Sequence, residues 1–484
     1  MSINPLTRRK LLIRAAAGSA STFTYCAQEG RRATAAPKRI IVVGAGVAGL
    51  ISAFELTQNG HDVVVLEGRM RPGGRIYTLR DSFADSLYAE AGAIDFGNAY
   101  PVLMRYIKLF DLPVVQVPTS AYTITYARGH RYVTPQGREP EWPYDLPASE
   151  RQLGRAGIWE KYVVSAYGDI GDVSSVAWPR TVQREVDRQT LNDFASHRGL
   201  SKEGVKLLRF TVSGDDYDHV SALQTLTTEA FYAKNQEWLR LRGGNDQLPK
   251  ALAAKLGSRL RYGAKVVRVS QDSKKVWVSA SSGAGVEQVE ADHVVLTVPF
   301  SVLRNCELDS TISVGKRMAI QRMRYESIVR VYVQSRTRFW RQHDTTGAAV
   351  SDLPFCPVLD HTVTQSGKRG ILEAQIEHEK AREVGRMPTE ERVRWALNLM
   401  KKIHPGLTAN FEGGTSFSWD DDPFALGSWA YYAPGEMTAM YPHVSKPEGR
   451  IHFAGEHTSA IVGTLEGAAE SGVRAAHEVA SAAS

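Results

Sequence analysis

Arg39-Ile40-Ile41-Val42-Val43-Gly44-Ala45-Gly46-Val47-Ala48-Gly49 is the stretch that decides the fold of this chain. Ile40 to Val43 are β-branched throughout, the pattern of a parallel strand buried on both faces. After the glycines, Leu50-Ile51-Ser52-Ala53-Phe54-Glu55-Leu56 reads as a helix that ends near Asn59-Gly60. His61-Asp62-Val63-Val64-Val65-Leu66 reads as a second strand, with Glu67 at its end. Gly44 permits the tight turn out of the first strand, Gly46 lets backbone approach a pyrophosphate, and Gly49 lets helix and strand pack closely. The helix N-terminus offers unpaired N–H groups and partial positive charge to phosphates. Glu67 lies 21 residues after Gly46. A carboxylate there accepts hydrogen bonds from ribose hydroxyls and repels a 2′-phosphate. Strand, glycine turn, helix, strand and acid in this order specify a dinucleotide, without separating FAD from NAD.

The next residues make that separation. Gly68-Arg69-Met70-Arg71-Pro72-Gly73-Gly74-Arg75 resembles the second signature of the flavin amine oxidase family, an acid followed by Gly-Gly-Arg, with a spacing one residue longer than usual. Adjacent glycines allow close backbone approach, and Arg75 is suited to forking a phosphate. Three more segments resemble the family in the same order: Arg242-Gly243-Gly244-Asn245-Asp246-Gln247-Leu248-Pro249, Val294-Val295-Leu296-Thr297-Val298-Pro299, and Arg450-Ile451-His452-Phe453-Ala454-Gly455-Glu456-His457-Thr458. The last is followed by Gly463-Thr464-Leu465-Glu466-Gly467, a helix start that runs beneath the isoalloxazine in that family. Tyr332 to Trp340 and Ser351-Asp352-Leu353-Pro354 look most like L-amino acid oxidases and monoamine oxidases.

The resemblance spans residues 37–480 and implies an α/β fold. Its FAD-binding Rossmann-like (GR2-type) domain is assembled from residues 37–100, 240–300 and 445–484. An α+β substrate-binding domain is expected over 301–444, and a helical or mixed insertion over 101–239. The cofactor contacts implied are Gly44, Gly46, Gly49 and Glu67 in the first signature, with Gly73, Gly74 and Arg75 in the second. Val267, Gly455, Glu456, Thr464 and Leu465 complete them. Read locally, Lys275 to Gly285 is a β-hairpin and 388–403 a helix.

The chemistry implied is oxidation of a C–N bond by hydride transfer to flavin N5, giving an imine, then a carbonyl and ammonia, with dioxygen reduced to hydrogen peroxide. The nitrogen lone pair drives the transfer, so positioning and desolvation matter more than a strong base. Where the family keeps a lysine that holds a water near N5, this chain has Arg330, which donates hydrogen bonds but cannot change protonation state; alternatively it is an ion-pair residue. Trp429 takes the place of one wall of an aromatic cage, or packs in the core, while Thr464 stands where the other wall would be. Ser428 replaces the cysteine that bonds flavin covalently in monoamine oxidases, so the FAD is expected to be non-covalent. L-amino acid oxidases hold the substrate carboxylate with an Arg and a Tyr; Asp95 and Gln375 stand at those places. A carboxylate beside Asp95 meets like charge, unless Asp95 caps a helix or Arg105 takes over the anchoring. An amine is therefore the expected substrate, with L-amino acid oxidation the alternative. A C–C desaturase and an inactive flavin-binding protein share the fold and are the further alternatives.

The chain has 484 residues, more than one ordinary domain. Its net charge is +7. Arg8, Arg9, Lys10, Arg14, Arg31 and Arg32 against Glu29 put +5 of that in residues 1–36, so the remainder is near neutral and gives no reason to invoke nucleic acid. Residues 1–36 read as an export signal of twin-arginine type, with Arg8-Arg9 before a short apolar run and Ala33-Thr34-Ala35 as a cleavage site. That run is too short and too broken by Arg14 for a stable membrane span. Cys306 and Cys356 read as thiols rather than a pair, and no cysteine–histidine spacing points to a metal. Enzymes of this fold often form homodimers, but nothing in the sequence fixes the assembly.

Overall fold

Strand Arg39–Val43 lies at the centre of a five-stranded, all-parallel sheet, between Asp62–Leu66 on one side and His293–Leu296 on the other. Leu260–Arg261 and Ile451–Phe453 form its two edges. Ile40, Ile41 and Val42 are fully buried. Each such side chain contributes about 1.5–3 kcal/mol relative to exposure, which is why this run takes the central position. The architecture comes from a computed structural model that describes residues 37–175, 177–210 and 217–482. The export signal, its twin arginines and its cleavage site lie outside the described residues.

Helix Val47–Gln58 follows the glycine turn and is closed by Asn59 and by Gly60 at φ +84°. The C-terminal helix Leu465–Ser481 packs against it at very short range: a Cβ on Gly472 would stand 2.5 Å from the Ala48 carbonyl oxygen. The fold class is the one expected, an α/β nucleotide-binding sheet drawn from separated pieces of chain. The hairpin Val276–Ser282 with Gly285–Ala291 and the helix Thr389–Ile403 also form as read.

A second, seven-stranded sheet runs in the order Phe411–Ser418, Ile328–Ser335, Gly370–Glu377, Val358–Asp360, Ala349–Ser351, Tyr122–Ala127, His130–Pro135. The pleat of Ile328–Ser335 explains how it serves the site. Val329, Val331 and Val333 share a cluster with Val393, Ala396 and Met400 of helix Thr389–Ile403. Arg330 and Tyr332 therefore point to the opposite face, because successive side chains alternate across a strand. There Arg330 lies directly across from Gln375, and Tyr332 from Glu373. No helix among the described residues is long and apolar enough to cross a membrane. Cys306 and Cys356 are thiols, not a disulfide.

Candidate active site

A long cavity starts at the glycine turn. Gly46 caps helix Val47–Gln58 with no side-chain hydrogen bond, and the first turn holds no acid. The helix N–H groups are thereby left to the cavity that Gly46, Val47 and Ala48 line. A Cβ on Gly46 would meet nothing within 4 Å, so its open side is the cavity itself. Glu67 is buried, its Oε2 accepting from the Ala45 N–H at 2.7 Å and its Oε1 from the Arg69 N–H at 2.8 Å. Each carboxylate oxygen keeps a further lone pair for a hydroxyl. Gly73 and Gly74 have φ of +104° and +55°, and a Cβ on Gly74 would lie 3.2 Å from the Gly46 Cα, so the two glycine segments stack without side chains between them. An uncapped helix end, two bare glycine segments and an acid at the strand end form a cradle that fits a dinucleotide.

At its far end the cavity reaches Arg330, Trp429 and Asp95, and continues into an outer arm. Ile94, Asp95, Tyr232, Trp429 and Gly463 line both compartments and so form the passage between them. Arg330 is buried, with Nη1 2.9 Å from Glu373 Oε1, while its Nε has no hydrogen-bond partner. Glu373 is fully buried and also accepts from His361 Nε2. The tautomer follows from the other side of that ring, where Nδ1 accepts the Glu90 N–H at 3.2 Å. Burial opposes the charge on Glu373, yet Arg330 beside it and the His361 hydrogen bond hold its carboxyl below the usual range.

Residues 47–480 match the family model of flavin-containing amine oxidoreductases. The chain belongs to that family. It is 30% identical over 467 residues to YobN of Bacillus subtilis (strain 168), covering 93% of this chain and 96% of that one. It is 29% identical to the flavin-dependent L-tryptophan oxidase RebO of Lentzea aerocolonigenes, covering 91% and 98% of the two chains. Among solved structures, putrescine oxidase bound to putrescine superposes with a TM-score of 0.77 at 20% identity, over 92% of this chain and 99% of that one. The cofactor of this amine oxidoreductase is FAD, and its reaction is flavin-dependent oxidation of an amine.

Several residues of this amine oxidoreductase do something other than the sequence suggested. Gly49 is not the cofactor contact expected, since it does not line the cavity; a Cβ there would stand 2.0 Å from the Gly44 carbonyl oxygen, so its part is only the helix–strand packing also read for it. Val266, not Val267, faces the cavity, because strand Lys265–Gln271 carries a bulge between Val266 and Arg268 that breaks the alternation. Arg75 lines the cavity as expected, and its Nη1, 2.6 Å from Glu456 Oε1 and 2.7 Å from the Ser428 carbonyl, also ties the second signature to the C-terminal segment. Gly44, Gly455, Glu456 and Leu465 line the cavity. Thr464 lines it too, but its hydroxyl donates to the Ile461 carbonyl at 2.8 Å and accepts from the Gly467 N–H at 2.9 Å, which makes it the N-cap of Leu465–Ser481.

At the substrate end, Asp95 caps no helix. It faces the passage with Oδ1 2.5 Å from Nε of the buried Arg240, so it is the acidic front of a neutral pair. Arg105 plays no part in the site; it pairs with Glu55 at the surface. Gln375 lines the arm and donates to Glu377 Oε1 at 2.5 Å. Sequence reasoning missed Tyr232, which supplies a second aromatic side chain at the passage, and His219, Glu326 and His378 in the arm. No spacing pattern links these positions. In the arm, burial penalises charge on both Glu326 and His219. Hydrogen bonds between them, and from His219 to Asp218, nevertheless push His219 up to about 9 and, with His378, hold Glu326 down to about 2.

Proposed function

We propose that this oxidoreductase acts on amines that carry a second cationic group and no α-carboxylate, and that it works outside the cytoplasm after twin-arginine export. The charge of the outer arm carries the substrate reading. Asp95, Glu229, Glu326 and Glu377 line the arm, and no Lys or Arg does so among the described residues. Asp95 is balanced by Arg240 behind it, which leaves Glu229, Glu326 and Glu377 against His219 and His378, the arm's basic groups. A cavity lined by one sign of charge concentrates the opposite sign. FAD, which the cradle of Gly46, Glu67, Gly73 and Gly74 would hold, would supply the two-electron oxidation of the amine, with dioxygen as acceptor and peroxide as product. The chain supplies the rest. Trp429 and Tyr232 flank the passage and exclude water, and the arm holds the distal ammonium. The unpartnered Nε of Arg330 is the donor available to fix a water beside the reacting carbon. The export reading rests on Arg8-Arg9 and the short apolar run after them.

A second reading, L-amino acid oxidation, is favoured by that same Nε, which is equally suited to a substrate carboxylate. The 28%-identical mouse relative, matched over 71% of its length, is an L-amino-acid oxidase by name. Matched pairs separate the readings: putrescine with ornithine, cadaverine with lysine, agmatine with arginine, each pair sharing its distal cation. In a peroxidase-coupled assay the amine of each pair is expected to exceed its amino acid by at least about tenfold in kcat/KM, which is 1.4 kcal/mol. Faster turnover of the amino acids would overturn the proposal in favour of the second reading.

A further inference from the structure

The geometry points to a divalent transition-metal site in the wall of the outer arm, built from His219, Glu326 and His378. One ligand atom from each lies within 4.8 Å of the others. His219 Nε2 is 3.0 Å from Glu326 Oε2, and His378 Nδ1 is 2.7 Å from Glu326 Oε1. Ligands around a tetrahedral zinc at about 2.0–2.1 Å stand about 3.4 Å apart, so both histidines already approach the carboxylate as closely as a shared ion requires.

Three further observations favour a ligand over a plain hydrogen-bonded cluster. His378 makes no aligned hydrogen bond through either ring nitrogen, although both are shielded from water and Nδ1 is within reach of Glu326. Two histidine rings are stacked edge to face at 4.0 Å between centroids, with the carboxylate between their nitrogens, an arrangement that one shared cation would organise. His378 also sits at φ +57°, in the left-handed region. A non-glycine residue held there costs on the order of 1 kcal/mol or more, and such strain concentrates where a side chain must be aimed.

The outer shell is in place as well. His219 Nδ1 bonds Asp218 Oδ1 at 3.0 Å, which leaves Nε2 to the ion, and Glu326 Oε1 accepts the Ser327 N–H at 3.0 Å. A carboxylate behind a ligating imidazole fixes the ring and raises its basicity. Two imidazoles and one carboxylate select zinc, nickel, cobalt or copper over magnesium or calcium. All three residues line the arm, so a fourth coordination position opens toward the cavity. An ion there would neutralise part of the arm's negative charge.

The test uses FAD-loaded full-length protein, stripped with chelator, passed through a desalting column and titrated with Zn2+ by calorimetry. Co2+ titration provides a visible spectrum beyond the flavin bands. One equivalent of Zn2+ per chain is expected, with tetrahedral-type Co2+ bands. His219→Gln and His378→Asn are each expected to weaken binding at least about tenfold while keeping the flavin spectrum of the parent; asparagine tolerates the left-handed φ. If either variant loses its flavin, Glu326→Gln gives the same reading. No saturable binding, or binding undiminished in the variants that keep their flavin, would overturn the site.

Discussion

Arg330 answers at the scale of one residue how a fixed cation can stand beside an oxidation site. It is half of a buried pair with Glu373, and His361 shares the same carboxylate. Removing one member of such a pair strands the other charge, which costs far more than the pair contributes. Arg330→Met is therefore expected to lower stability by about 3–5 kcal/mol, measured by urea denaturation of the FAD-loaded enzyme. Arg330→Met combined with Glu373→Gln is expected to recover most of that. A single variant within about 1 kcal/mol of the parent would show that water already reaches Glu373. The ion-pair reading of Arg330 is the one its contacts show. Its Nη1 is an ion-pair group, and its Nε remains without a partner on a residue that lines the cavity.

The glycine turn makes the case at the scale of an element, since its glycines look alike in sequence and differ in what surrounds them. A methyl on Gly46 projects into open cavity, whereas one on Gly49 collides with the Gly44 carbonyl oxygen. Gly46→Ala is expected to fold with near-parental apoprotein stability and to lose FAD affinity by tenfold or more. Gly49→Ala is expected to lose stability by several kcal/mol, because helix Val47–Gln58 must move off its strand. Flavin fluorescence during dialysis, beside apoprotein melting curves, separates the two; equal behaviour of both variants would contradict the assignment. This contrast also marks how far the sequence is legible. The order of strand, glycines, helix and acid is local, so it carries the nucleotide half of the site. The Asp95–Arg240 pair and the His219–Glu326–His378 cluster each join residues distant in sequence. No periodicity encodes such contacts, and Gln375 is placed in the arm only by strand register.

At the scale of the whole fold, Glu90 joins the Gly243-Gly244-Asn245 segment to the second sheet, through its carboxyl on one side and its backbone on the other. Its side chain accepts from Thr78 and from the Asn245 N–H, its carbonyl accepts from Tyr332 of the second sheet, and its N–H donates to His361. Burial pushes its carboxyl up to about 7, against the opposing hydrogen bonds from Asn245 and Thr78. Between pH 4.5 and about 7 the folded chain keeps a proton that the unfolded chain has lost. This contribution is therefore full below pH 4.5, falls as pH rises through that window, and is flat above it, by about 3 kcal/mol in all. Urea midpoints at pH 5 and pH 8 are expected to show that loss, and Glu90→Gln to flatten it. A wild-type midpoint that rises with pH in a Glu90-dependent way would reverse the assignment. The substrate claim rests on the passage from flavin cavity to acidic arm, lined by Ile94, Asp95, Tyr232, Trp429 and Gly463. The most direct measurement of that claim is the anaerobic bleaching of the flavin by agmatine and by arginine, followed by stopped flow, which isolates the C–N oxidation from oxygen. Fast, saturable bleaching by agmatine with slow bleaching by arginine is the predicted result; bleaching by arginine and none by agmatine would contradict it.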